Sequence, residues 1–140
     1  MPIEYVYNTG FALNNEASVT SWIKRVIASE KQALGEIVFA FFNDEDLREI
    51  NIKHLNSDHY TDVISFGSSE SGIVNGNIAV SVDRVKENAK TYSSSFEREL
   101  YRVMIHGVLH CIGYNDDTKK DKERITKTED LKLKMFHMEQ

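Results

Sequence analysis

The chain has 140 residues, 41% hydrophobic and 28% charged, which suffices for one domain (residues 1–140) with a core of its own. Its net charge of −5 argues against indiscriminate nucleic-acid binding over the whole surface, and its single cysteine, Cys111, excludes an internal disulfide and fits a reducing compartment. No stretch approaches the ~18 apolar residues of a membrane span, and Ile3-Glu4-Tyr5-Val6-Tyr7 is too short and lacks the basic flank of a signal peptide, so a soluble cytoplasmic protein is expected.

Ile3 to Tyr7 alternates as a short strand ended by Asn8-Thr9-Gly10. Asn14 or Asn15 then caps a helix whose Val19, Trp22, Ile23, Val26 and Ile27 form a core-facing stripe, with Gly35 as its stop. Ile37 to Phe42 is a buried strand. Asn43 has the character of an N-cap, and Asp44, Glu45 and Asp46 suit the positive end of a helix dipole better than a metal site. That helix runs to about His54.

Thr61 to Phe66 is the next strand, followed by a Gly- and Ser-rich loop from Gly67 to Gly72. Gly76 to Val82 is another strand, feeding a short helix from Asp83 to about Lys90. Ser94 with Glu97 forms a capping-box pattern for a helix running to Ile112, and a last helix covers Asp121 to Phe136. The fold class expected is α+β: one compact domain, a mixed sheet of about four strands, about five helices, and a metal site on a late helix.

That late helix carries His106 and His110, four residues apart and therefore on one face, a turn from each other. Gly113 ends the helix, and Asp116 and Asp117 follow within reach of a third coordination position. Two histidines and a carboxylate with an open fourth position make a catalytic zinc arrangement. Gly107 excludes the peptidase pattern in which a glutamate directly follows the first histidine. Cys111, about 100° around the helix from His110, reads as a core thiol. Glu99, two turns before His106, is a candidate to orient a ligand. Lys119 to Lys134 holds seven basic against four acidic side chains, a local +3 that leaves −8 on the rest; this face suits either solvent or a phosphate backbone.

Three blocks carry a family resemblance. His106-Gly107-x-Leu109-His110-x-x-Gly113-Tyr114 resembles the H-G-x-L-H-L-x-G-Y-D-H signature of the YbeY family. Thr61-Asp62-Val63-Ile64-Ser65-Phe66 is similar to that family's T-D-V-L-S-F, and Gly76-Asn77-Ile78 stands where G-D-I is usual. The resemblance implies an α+β fold and a single-strand-specific endoribonuclease dependent on one zinc ion. It also implies the ribosome as partner: maturation of the 3′ end of small-subunit rRNA, and ribosome quality control, with no role for DNA or membranes.

Two positions depart from the pattern. The family's third histidine falls at Asp116, and this register favours Asp116 over Asp117, giving His106, His110 and Asp116 as the expected ligands. Exchanging imidazole for carboxylate keeps a competent zinc ligand but lowers the site's charge from +2 to +1, which should move activity to higher pH than in a three-histidine relative. The family's arginine, suited to gripping a phosphate, is replaced by Leu55. His54 beside it and Arg102 on the metal helix are candidate substitutes, although His54 equally suits a helix end. Two other readings stand beside the ribonuclease: a ribosome assembly factor with a structural metal, and a metal hydrolase of other substrates.

Overall fold

Alternation across the pleat puts Ile37, Phe39 and Phe41 on one face of their strand, and all three are fully buried. The structure, a computed structural model, describes residues 2–138; Met1 and the last two residues of the expected domain lie outside that range. Its strands are β1 (Ile3–Tyr7), β2 (Ala33–Phe42), β3 (Val63–Glu70) and β4 (Ile73–Ser81). Its helices are α1 (Glu16–Ser29), α2 (Asp44–Leu55), α3 (Val82–Thr91), α4 (Phe96–Ile112) and α5 (Lys119–Met138). The sheet runs β1-β2-β4-β3, parallel except for β3, which pairs antiparallel with β4 at one edge. The expected α+β domain with a four-stranded mixed sheet and five helices is therefore present.

Side-chain alternation divides the core. Ile78 and Val80 of β4 point into a large cluster formed with α1, α4 and α5, whereas Ala79 between them joins Leu47 of α2 and Ile64 on the opposite face. Trp22 anchors the larger cluster. It is fully buried, packs against the rings of Tyr101 and Phe136, and donates its indole N–H to the Lys132 carbonyl at 2.7 Å. Among the described residues no helix is long and apolar enough to cross a membrane.

Several boundaries differ from expectation. The 67–72 segment is not a loop: β3 continues to Glu70, turns through Ser71 and Gly72, and returns as β4 from Ile73. Backbone ladder bonds hold this edge pairing, so it needs no apolar side chains. Gly35 does not stop the first helix, which ends at Ser29; Gly35 lies within β2, at a register shift where Glu36 N donates to Asn75 Oδ1. Ser95, not Ser94, caps α4, accepting from Arg98 N at 3.1 Å. Asn15 occupies the N-cap position of α1 without a side-chain cap bond and donates instead to the Tyr101 hydroxyl.

Asn43 caps α2 as expected, accepting from Asp46 N at 2.8 Å. Asp44 then accepts from Ser81 Oγ and Arg84 and so ties α2 to α3, which accounts for the acidic cluster without a metal.

Candidate metal centre

Helix α4 lies hard against the sheet. A Cβ at Gly107 would stand 2.7 Å from Ile78 Cγ2 and 3.1 Å from Ser65 Oγ, so only glycine permits this approach. Gly107 thus faces the sheet, while the flanking turns carry His106 and His110 to one partly exposed edge of the helix. Gly113, at φ 125°, ends α4 and turns the chain so that Asp116 comes back toward the two imidazoles.

The three expected ligands meet. His106 Nε2 and His110 Nε2 are 3.0 Å apart, and Asp116 Oδ2 lies 3.5 Å from the first and 3.4 Å from the second. Ligand bonds of about 2.0–2.1 Å at tetrahedral angles put donor atoms about 3.3–3.4 Å apart, so this triangle fits one face of a zinc tetrahedron. Asp117 is exposed and stands outside the group.

Behind His106 stands Glu129 of α5, which the sequence reading missed. Glu129 Oε2 is 2.5 Å from His106 Nδ1, and its Oε1 accepts from Arg102 at 2.9 Å. A proton on Nδ1 leaves Nε2 with its lone pair toward Asp116, the tautomer a metal ligand requires. Burial opposes the charged form of His106, but Glu129 outweighs it, and with Asp116 and Asp62 behind it the imidazole pKa is raised.

Glu99 makes no hydrogen bond to either histidine. Arg102 is held by Glu129 and by Asp130 at 2.6 Å, so it is not free to take a phosphate at the metal face. Asp62 was likewise missed, although it sits inside the T-D-V block. It accepts from Asn88 Nδ2 at 3.0 Å, and burial raises its pKa despite the lowering effect of His106.

The triangle opens into a cavity of about 480 Å³ whose walls include Asn51, Leu55, His59, Asp62 and Ser65. Among the described residues, none lining it is lysine or arginine. Leu55, which the resemblance sets at the family arginine's position, is half exposed on this wall. His54 turns away to pack edge-on against Phe66, and His59 supplies the cavity's remaining imidazole. Cys111 also reaches the cavity wall, but its sulfur fills the space left by Gly67 and Gly76, and burial pushes the thiol up to about 11. It is a core thiol, as its position on the helix indicated.

The loop bearing Asp116 is fixed from both sides. Tyr114 donates to Glu30 Oε1 at 2.6 Å, Glu30 Oε2 meets Lys132 Nζ at 2.8 Å, and the Arg124 guanidinium lies 4.9 Å over the Tyr114 ring. Thr118 then accepts from Asp121 N, starting α5 within three residues of Asp116.

Comparison with known proteins agrees with this architecture. The family model described as endoribonuclease YbeY matches residues 7–137. A protein of Flavobacterium johnsoniae named endoribonuclease YbeY is 46% identical over 138 residues, covering 99% of each chain. Its namesake in Christiangramia forsetii is 40% identical over 138 residues, covering 99% of this chain and 96% of the other. The solution structure of TM1509 from Thermotoga maritima superposes with a TM-score of 0.70 over 98% of this chain and 90% of that one; at 22% identity it speaks to the fold. With a match spanning nearly its whole length, the chain belongs to the endoribonuclease YbeY family.

Proposed function

We propose that this protein is a zinc-dependent endoribonuclease that cuts single-stranded RNA, acting in the cytoplasm on the 3′ end of small-subunit ribosomal RNA during ribosome maturation and quality control. The observation that carries this reading is the triangle of His106, His110 and Asp116 opening into a cavity, in a chain whose relatives bear the name endoribonuclease. These three residues would hold the zinc, which when bound supplies Lewis acidity toward a phosphate oxygen and lowers the pKa of water.

The chain's own groups do the rest. Glu129 fixes the His106 tautomer, and the Tyr114–Glu30 contact holds the loop that presents Asp116. His59 and Asp62 lie in the cavity wall where a phosphate and its flanking sugar would sit. The exposed cations Lys119, Lys120 and Lys122, just beyond Asp116 on α5, offer phosphate contacts along the strand.

The absence of lysine and arginine from the cavity wall favours one second reading, a ribosome assembly factor whose metal is structural. Zinc-loaded protein incubated with a single-stranded 3′-end fragment, and with the same fragment annealed to its complement, separates the two. Cleavage of the single strand alone is expected. Cleavage of neither, with ribosome binding retained, would move the assignment to the assembly factor, and equal cleavage of both would remove the single-strand specificity.

A further inference from the structure

A second cavity, of about 670 Å³, shares a wall with the first: Asp62, Val63 and His106 line both. Glu99 lines this second cavity and has no part in the chemistry above. Only 6% of Glu99 is exposed, and its carboxyl accepts no hydrogen bond from any described residue. Its oxygens open to this cavity, with Arg102 as the opposing charge nearby, so a ligand in the cavity that donates to them would offset what burial costs the charged form.

The lining does not gather the ligand set of a second metal ion. Asp62, Glu99 and Glu129 all face the cavity, yet among the described residues only His106, His110 and Asp116 bring three ligand atoms within 4.8 Å of one another. The space suits a larger group with an edge of N–H donors. Among RNA bases, guanine presents two adjacent donors, N1–H and the 2-amino group, which match the two oxygens of one carboxylate. Uracil sets a single N–H between two carbonyl oxygens, while adenine and cytosine offer one amino group beside a bare ring nitrogen. Tyr92, 69% exposed on the same cavity, supplies a face for stacking, and Arg98 lies exposed at its rim, within the same lining.

We propose that this cavity is a base subsite that holds a guanine next to the phosphate being cut, with Glu99 accepting from its N1–H and 2-amino edge and Tyr92 stacking on its ring. The assignment rests on the endoribonuclease reading for its place beside the scissile phosphate, and on the cavity alone for its choice of base.

The test uses zinc-loaded full-length protein and four oligouridine substrates, each carrying one variable nucleotide. In parallel, guanosine, adenosine, cytidine and uridine 5′-monophosphates are titrated onto the same protein. Wild type is expected to cut next to guanine with kcat/KM about tenfold or more above the other bases. That ratio should collapse toward one in Glu99→Gln and shrink in Tyr92→Ala, with guanosine monophosphate binding falling in step. No guanine preference in wild type, or a preference that survives Glu99→Gln, would overturn the subsite. If no RNA is cut, the endoribonuclease reading fails and the titration decides alone: selective, Glu99-dependent guanosine monophosphate binding upholds the pocket, and equal binding of all four nucleotides overturns it.

Discussion

His106 Nδ1 lies 2.5 Å from Glu129 Oε2, joining α4 to α5 behind the face that His106 presents to His110 and Asp116. Glu129 is 5% exposed and shared with Arg102, so its two oxygens are satisfied by His106 on one side and the guanidinium on the other. Glu129→Gln preserves size but weakens the acceptor that orients the ring. Zinc affinity, measured by competition with a chromophoric chelator, should fall about 10–100-fold. Affinity within twofold of wild type would remove Glu129 from this role.

The contact between Tyr114 and Glu30 makes a separate prediction, because it acts on the third ligand through the loop. Tyr114→Phe removes one hydrogen bond and should cost about 1 kcal/mol of stability in thermal melts. Zinc affinity should also fall, by less than in Asp116→Ala. An unchanged affinity would show that the Asp116 loop holds its shape without this anchor.

Gly107 tests the packing of α4 on the sheet. On helix propensity alone, Gly107→Ala should stabilise by about 1 kcal/mol. The added Cβ would stand 2.7 Å from Ile78 Cγ2, so overpacking should win and the net change should be a loss of about 1–3 kcal/mol in urea unfolding. A gain in stability would mean that α4 can lift from the sheet.

Much of this site was legible in the sequence because its parts are local. His106 and His110 share a face through helical periodicity, and Gly113 marks the turn that returns Asp116. Glu129 was not legible: it lies 23 residues from His106 on another helix, inside a run of charges that reads equally well as a solvated face. Glu99, on the right face by periodicity, attracted the role that Glu129 fills, because sequence spacing cannot show which way α5 packs. The β3–β4 hairpin was half hidden for a different reason. Gly67, Ser68 and Ser69 pair through backbone groups at a sheet edge, where composition carries no strand signal. The cap of α4 falls at Ser95 and not at the expected Ser94 because Ser93, with a φ of 52°, brings Ser94 N to the Ala89 carbonyl and leaves Ser95 to cap the helix.

Glu99 gives a pH-dependent prediction. Burial holds its carboxyl above the usual range, with Arg102 opposing and Asp62 and Glu129 adding to the shift. A raised folded-state pKa favours the neutral form in the fold. That contribution is fully present below the unfolded pKa, about 4.3, and is lost as pH rises through the folded value. Near neutral pH the wild type therefore carries a destabilising buried charge that Glu99→Gln lacks. The variant's Tm should exceed the wild-type value at about pH 7.5, with the gap closing toward about pH 4. A gap independent of pH would contradict the buried-charge account.

The most direct test of the metal-dependent ribonuclease is zinc content and RNA cleavage measured on the same preparations of wild type and His110→Ala. The wild type should hold one zinc per chain and cut a single-stranded fragment from the 3′ end of small-subunit rRNA, with chelation abolishing both. His110→Ala should stay folded by circular dichroism, lose the zinc, and cut at least about 100-fold more slowly. Equal cleavage by the two proteins would contradict the assignment, as would a zinc-loaded wild type that leaves the RNA intact.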